Sequence, residues 1–140
     1  MFLFDTDHLS VLQRLKGDDY ESLRDHMRQY DSDDICLSVV SLHEQTMGAN
    51  AIIQRGTRRE LIRGYEYFHT VLAGFSQFRV LEFDETAARL FDELRLRARR
   101  IGTMDLRIAA IALSHDMTVL TRNARDFEQV PELKIEDWTR

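Results

Sequence analysis

Short apolar runs alternate along this chain with stretches that have helical spacing. Residues 2–4 and 35–40 are two such runs, and each precedes a segment whose apolar residues recur at helical intervals. Three more apolar runs cover residues 78–83, 118–120 and 133–135. Short buried strands separated by helices are typical of a parallel sheet covered by helices on both faces. The pattern therefore predicts an α/β fold with a sheet of about five strands.

The length and composition fit one globular domain over residues 1–140, with 44% hydrophobic and 31% charged residues. Pro131 is the only proline, and no linker is apparent. The longest apolar run has six residues, whereas roughly 20 are needed to span a bilayer, so we expect no membrane segment. Asp5 and Asp7 interrupt the apolar start before a signal peptide could form. Cys36 is the only cysteine, which favours a reducing, cytoplasmic location.

The helical segments also predict where several helices begin and end and which of their faces are apolar. Residues 41–75 should form two helices that are broken near Gly56 and Thr57. Asp84 and Thr103 are the expected N-caps of the next two helices. Within the second long helix, an apolar stripe is expected to pack on the core, and surplus apolar residues on its flank suit a homodimer contact or a groove for a partner helix. The stripe comprises Tyr65, Phe68, Leu72 and Phe75, and the flank Tyr67 and Val71.

Acidic residues recur where the predicted strands end. Asp5 closes the first strand, and Glu44 lies in the first turn of the helix after the second strand. Asp105 lies in the first turn of the apolar helix that leads into the fourth strand, and Asn123 and Asp126 follow that strand. In open parallel sheets the ligand crevice lies beyond the carboxyl ends of the strands. We therefore expect these side chains to converge at one edge of the sheet.

Each acid alone has a structural explanation, such as capping a helix or favouring a helix dipole by about 0.3–1 kcal/mol. Together they are costly, since two like charges about 4 Å apart repel by roughly 4 kcal/mol at an effective dielectric near 20. A cation among them would remove that cost. Carboxylate oxygens without cysteine or regularly spaced histidine select Mg²⁺, with Mn²⁺ as an alternative. Such an ion keeps waters, one of which can be activated to attack a phosphodiester.

Five motifs follow one another along the chain: Phe4-Asp5-Thr6-Asp7, then residues 38–44, 101–110, 120–127 and 133–138. In the order and spacing of these motifs the chain resembles the PIN-domain ribonucleases, and among them the VapC-type toxins of bacterial toxin–antitoxin pairs. It implies a three-layer α/β/α sandwich with a central, mainly parallel twisted sheet. It also implies Mg²⁺-dependent endonucleolytic cleavage of RNA, and a cognate antitoxin protein that silences it.

By this resemblance Asp5, Glu44 and Asp105 form the acidic metal site. Many relatives carry a fourth acid directly after the fourth strand, where this chain has Asn123. Asn123 can orient the attacking water through its amide, and Asp126 can supply the missing charge. This departure keeps a rival interpretation open, in which the chain is a catalytically silent PIN-like domain that only binds RNA or protein.

Other side chains are predicted to support this chemistry. Thr6 and Ser38 are candidate hydrogen-bond donors to Asp5 or to a metal-bound water, and Thr121 is a further candidate to support the site. The net charge of −5 argues against a nucleic-acid partner when taken alone. All but two of the 19 basic residues are arginines, however, and arginine suits phosphate recognition. Those nearest the predicted site, and hence the candidate RNA contacts, are Arg107, Arg122 and Arg125.

A second alternative comes from Asp5-Thr6-Asp7 at a strand end, which also resembles the opening of the haloacid-dehalogenase phosphatases. There the first aspartate is a nucleophile and the second an acid/base. That family also needs a lysine beyond a strand end, and Lys134 comes too late in the chain. The phosphatase is therefore the less favoured alternative.

Overall fold

The computed structural model describes residues 1–140 and contains one five-stranded sheet. All of its neighbouring strands are parallel, and their order is β3-β2-β1-β4-β5. The strands are β1 (Phe2–Phe4), β2 (Ile35–Ser38), β3 (Arg79–Leu81), β4 (Thr118–Leu120) and β5 (Lys134–Glu136). This arrangement confirms the predicted α/β fold with a parallel sheet.

Seven α-helices and one short 3-10 helix at Ser32–Asp34 connect the strands. The α-helices are α1 (Thr6–Arg14), α2 (Asp18–Met27), α3 (Val39–Gln54), α4 (Arg58–Phe75), α5 (Glu85–Arg97), α6 (Thr103–Ser114) and α7 (Ala124–Phe127). The predicted break near Gly56 and Thr57 is confirmed, because α3 ends before it and α4 begins after it. None of the helices has the length and apolar composition required to cross a membrane.

The core lies on both faces of the sheet, as alternation along the strands requires. Leu3 and Val119 belong to the cluster that includes buried residues of α5 and α6. Phe4 and Leu120 belong to the opposite cluster, which includes buried residues of α1, α2 and α4. Helix α6 is buried almost all round, as its sequence predicts. The sheet is therefore covered on both sides, and its functional edge lies at the strand ends.

Two element boundaries differ from the predictions. Strand β2 ends at Ser38, because the Ser38 hydroxyl oxygen accepts a hydrogen bond from the Ser41 N–H at 3.0 Å and so caps α3. Thr103 is not a cap: Gly102 holds that position, and Thr103 is the first residue of α6. Asp84 caps α5 as predicted, since its carboxylate accepts from the Ala87 N–H at 2.9 Å.

The predicted inward stripe of α4 is wrong. Phe75 is buried, but Tyr65 and Leu72 are 63% and 69% exposed. The buried line runs instead through Gly64, Val71 and Phe75. The reason is the close approach of α3, which Gly64 permits because it has no side chain. The opposite side carries exposed Leu61, Tyr65 and Leu72 and half-buried Phe68, and we call these four residues the outer stripe of α4.

Gly64→Ala is expected to destabilise the fold by about 1–3 kcal/mol. A Cβ at this position would clash with Ile53 Cγ1 and lie 3.2 Å from the Ala49 carbonyl oxygen, so the two helices would have to separate. The control is Gly48→Ala in α3, where a Cβ would meet Tyr67 at an ordinary 3.5 Å. Because alanine favours helix, the control should match or exceed the wild type in stability. Urea denaturation measures both, and a Gly64→Ala variant as stable as the wild type would contradict this packing.

Candidate active site

Asp5 lies at the centre of the sheet edge, directly after β1. The register pairs Phe4 with Leu120, so the ends of β1 and β4 are level, and the Asp5 N–H donates to the Leu120 carbonyl at 3.1 Å. One carboxylate oxygen of Asp5 accepts from the His8 N–H at 2.8 Å and caps α1. The other accepts from the Thr121 hydroxyl at 2.5 Å. Both oxygens are thereby fixed.

The Asp5 carboxyl is only 4% exposed. Burial raises its pKa to about 7, the hydrogen bonds from His8 and Thr121 oppose that rise, and the nearby carboxylates of Asp7 and Asp105 add to it. A carboxyl group in this state is protonated in a large fraction of molecules near neutral pH unless a cation stabilises the charged form.

Glu44 reaches the same edge from α3. Its Oε1 accepts from the Thr6 hydroxyl at 2.7 Å, and the Thr6 oxygen also lies 3.2 Å from the Ser41 hydroxyl. The Ser38 hydroxyl lies 3.2 Å from that of Ser41. Thr6 thus orients the Glu44 carboxylate directly, whereas Ser38 is connected to Thr6 only through the Ser41 hydroxyl.

Asn123 joins the remaining two acids. Its amide nitrogen donates to Asp126 at 3.0 Å and to Asp105 at 3.3 Å. Burial raises the pKa of Asp105, and the carboxylates of Glu44 and Asp126 raise it further against the opposing hydrogen bond from Asn123. Asp105 in turn raises the pKa of Asp5. The carboxylates of Asp5, Glu44, Asp105 and Asp126 therefore lie around one region, with Asp105 between the others.

The four acids have no basic partner in the chain: no arginine or lysine nitrogen lies within 4.0 Å of them. Asp7 differs, since both of its oxygens accept from Arg122 at 2.6 Å. The chain therefore neutralises Asp7 and leaves the acids at the sheet edge uncompensated. Asp5 is buried and the other three acids are half-buried. Carboxylates placed in this way without a charged partner are costly, and a divalent cation is the group that would offset that cost.

The tightest set of potential ligands is Asp5, Asp7 and His8, whose atoms lie within 4.8 Å of one another. Two of them are engaged elsewhere. Asp7 is bound by Arg122, and His8 Nε2 accepts from the Trp138 N–H at 3.2 Å, so the remaining ring hydrogen is on Nδ1. Burial lowers the pKa of His8 to about 4, which leaves the ring neutral. Asp5 accepts hydrogen bonds only from the neutral donors His8 N–H and Thr121 hydroxyl, so it is the member of this set whose charge is left for a cation.

The carboxylate oxygens of Asp5, Glu44 and Asp105 do not all lie within 4.8 Å of one another. Mg²⁺ does not require three carboxylates that close together, because it keeps several waters and binds through one or two carboxylates. The oxygen-only donor set of these three residues fits that ion.

The three candidate arginines have different environments. Arg122 is paired with Asp7, and its second terminal nitrogen lies 3.5 Å from Asp19. The guanidinium of Arg107 lies 5.5 Å from the centre of the Phe91 ring. Arg125 on α7 is exposed and forms no ion pair. Of the three, only Arg125 projects without a charged or aromatic partner.

Sequence reasoning missed three contributors to this region. Ser41 links Ser38 to Thr6, His8 donates its N–H to Asp5, and Asp7 binds Arg122. The available signal was the N-cap position of Asp5, which predicts a hydrogen bond from the residue three positions later. No local signal connects Asp7 with Arg122, which is 115 positions away.

Comparison with known proteins shows the family to which this chain belongs. The sequence profile described as PIN domain matches residues 3–133. The chain is 30% identical over 108 residues to the tRNA(fMet)-specific endonuclease VapC of Salmonella typhimurium, covering 74% of this chain and 75% of that protein. It is 31% identical over 142 residues to the plasmid stability protein StbB of Pseudomonas syringae pv. tomato, covering 99% of each.

Solved structures agree with these relatives. The crystal structure of DNA-bound VapBC from Salmonella typhimurium superposes with a TM-score of 0.80 at 27% identity, covering 98% of this chain and 97% of that one. VapBC-1 from nontypeable Haemophilus influenzae gives a TM-score of 0.76 at 21% identity over 99% and 98% of the two chains, a likeness of fold. The chain belongs to the PIN domain family. Within that family it is of the VapC ribonuclease type, which confirms the resemblance of its motifs.

Asp5→Asn is expected to stabilise the metal-free chain at pH 8 by on the order of 1–3 kcal/mol. The folded pKa of about 7 lies above the ordinary 3.8, so the folded state binds this proton more tightly than the unfolded state. The carboxyl therefore costs stability increasingly as the pH rises from about 4 to about 7. An asparagine keeps the acceptor for the His8 N–H and donates to Thr121. Urea denaturation in EDTA should show a smaller gain at pH 5.

The matched control is Asp7→Asn, for which the opposite sign is expected. The hydrogen bonds from Arg122 lower the pKa of Asp7, so its charged form stabilises the fold above the ordinary pKa and that stability is lost at acid pH. Asp7→Asn should therefore be less stable than the wild type at pH 8. An Asp5→Asn variant that also loses stability at pH 8 would contradict the uncompensated charge at the sheet edge.

Proposed function

We propose that this chain is a Mg²⁺-dependent endoribonuclease, formed by one domain over residues 1–140, and the toxin of a type II toxin–antitoxin module. The observation that carries the proposal is the group of four carboxyl groups without basic partners at the sheet edge of a PIN domain. The names of the relatives, ribonuclease and endonuclease VapC, support the reaction class. RNA is the proposed substrate, and Mn²⁺ is the alternative cation to Mg²⁺.

Asp5, Glu44 and Asp105 are the proposed ligands of the cation. When bound, a divalent cation would offset the carboxylate charges, polarise the scissile phosphodiester and make a water acidic enough to attack it. The chain supplies the positioning. His8 and Thr121 fix the two oxygens of Asp5, and Thr6 fixes Glu44.

Asn123 and Asp126 are proposed to serve the attacking water. The amide nitrogen of Asn123 is engaged by Asp105 and Asp126, whereas its carbonyl oxygen accepts no hydrogen bond from the chain. That oxygen is therefore free to accept a hydrogen bond from a water and orient it. Asp126, beside Asp105, supplies the negative charge that many relatives are expected to carry at position 123.

RNA would reach the site over arginine side chains. Arg125 is the first candidate because it is exposed and has no partner, and Arg107 and Arg122 are the others. Two exposed arginine clusters lie further out, and phosphate contacts from any of them would make RNA binding salt-dependent. They comprise Arg55, Arg58, Arg59 and Arg63, and Arg95, Arg97, Arg99 and Arg100.

The phosphatase alternative does not fit. The second aspartate of the Asp5-Thr6-Asp7 motif would have to act as an acid/base, and Asp7 is bound at both oxygens by Arg122. The match to the PIN domain also excludes that family. The silent PIN-like domain remains the alternative that activity measurements must test.

Two surfaces suit protein partners. An apolar groove of about 480 Å³ runs between α1, α2 and α4, and we propose that it receives a helix of the cognate antitoxin. The flank of Tyr67 and Val71 predicted for the homodimer contact is wrong, because Val71 is buried, and the outer stripe of α4 is proposed in its place. With its single, buried cysteine the chain suits the reducing cytoplasm, where we expect it to act.

Asp105→Asn is expected to reduce RNA cleavage by at least about 100-fold, the scale of losing one electrostatic element of an active site. Purified wild-type chain should cut RNA with Mg²⁺, lose that activity in EDTA and regain it when Mg²⁺ is restored. The control is Asp92→Asn, an exposed acid of α5 paired with Arg95, which should cleave as the wild type does. If the wild type and Asp105→Asn behave alike while both are folded, the chain is the silent domain instead.

The homodimer prediction is tested by sedimentation at micromolar concentration, where we expect a dimer. Leu72→Glu places a charge in the outer stripe of α4 and should yield a monomer, because a buried unpaired charge is costly. Leu96→Glu is the matched control, since Leu96 is 72% exposed on α5, outside the stripe. A monomeric wild type would refute the prediction.

A further inference from the structure

Three consecutive residues after β4 each bind a different acidic side chain. The Thr121 hydroxyl donates to Asp5 at 2.5 Å. The Arg122 guanidinium donates twice to Asp7, both times at 2.6 Å. The Asn123 amide donates to Asp105 and to Asp126. We call residues 121–123 the acid-binding segment.

The middle contact is the only one of the three that is a bidentate ion pair. A bidentate arginine–carboxylate pair fixes the orientation of both groups as well as their distance. Asp7 lies in the first turn of α1, and a second carboxylate, Asp19 of α2, lies 3.5 Å from another nitrogen of Arg122. Asp19 is itself bound by Arg14 at 2.8 Å. The acid-binding segment is thereby tied to two helices.

Little else holds the segment against α1. The Thr121 N–H is bound on the other side, to the Glu136 carbonyl of β5 at 2.9 Å, and the Asn123 N–H binds the Thr121 hydroxyl within the segment. No backbone hydrogen bond joins the segment to α1. Asp5, the N-cap of α1, binds the Thr121 hydroxyl and the Leu120 carbonyl just before the segment. Beyond these two contacts of Asp5, the Arg122–Asp7 pair is what holds the segment against α1.

We propose that Asp7 is a positioning residue, whose ion pair with Arg122 fixes the acid-binding segment and thereby the carboxylates that bind the divalent cation. The inference rests on the proposed function and assigns Arg122 a role inside the protein. Thr121 and Asn123 can hold their acids in place only if the backbone between them stays in place. Loss of either partner of the pair should therefore weaken cation binding, although neither is a ligand.

The experiment measures Mn²⁺ binding to the free chain by calorimetry, without RNA. Asp7→Ala and Arg122→Ala should each raise the Kd for Mn²⁺ about tenfold, the lower end of the effect of removing a group that orients metal ligands. The double variant should be no weaker than either single variant, because both remove the same contact. Excess Mn²⁺ should restore RNA cleavage by the two single variants and by the double variant. The matched control, Arg14→Ala, removes a positive charge from the same network and should bind Mn²⁺ as the wild type does.

The competing role for Arg122 is direct RNA contact, and it predicts a different result. Asp7→Ala would then leave the Kd for Mn²⁺ unchanged and tighten RNA binding by freeing a cation. That outcome, or additive effects in the double variant, overturns the inference. If Asp7→Ala fails to fold by circular dichroism, Asp7→Asn replaces it, since it keeps the shape and removes the charge.

The Asp105→Asn variant distinguishes failure of the positioning role of Asp7 from failure of the proposed metal-dependent function. If the wild type binds Mn²⁺, Asp105→Asn does not, and Asp7→Ala binds like the wild type, only the positioning role is wrong. If the wild type binds no Mn²⁺, the proposed metal-dependent function fails, and the positioning role fails with it.

Discussion

The parallel pairing of β1 with β4 is the interaction on which the rest of the site depends. It places the end of β1 level with the end of β4, so that Asp5 and Thr121 meet across the central strands. Helices α1 and α7 then start from the same edge and carry Asp7 and Asp126 to it. Every hydrogen bond made by the acid-binding segment presupposes this register. A shift of one residue would turn Asp5 away from its partners.

The fold gives one carboxylate near the sheet edge a basic partner and leaves the others without one. Asp7 is compensated within the chain by Arg122, whereas the acids at the sheet edge are not. The uncompensated group is tolerated because the sheet is buried on both faces and α6, which carries Asp105, is packed almost all round. Packing on both sides limits how far the carboxylates can move apart, which is the arrangement that the proposed cation site needs.

Much of this could be predicted from the sequence. Each strand is a short apolar run because both faces of the sheet are buried, so the five strands, the α/β class and the edge that carries the acids follow from pattern alone. The inward face of α4 could not be predicted. It depends on how closely α3 approaches Gly64, which the periodicity of α4 does not contain. The Arg122–Asp7 pair was equally inaccessible, since it depends on tertiary packing.

The wide separation in sequence of the groups that meet at Asp5 has a kinetic consequence. Thr121 lies 116 positions from Asp5, and Trp138 lies 130 positions from His8, so these contacts close very long loops. Contacts of this kind form late in folding, because the entropy of closing a long loop must be overcome before they contribute stability. A partly folded chain would therefore lack the complete acidic centre. The order of folding itself delays any activity of that centre until the sheet has assembled.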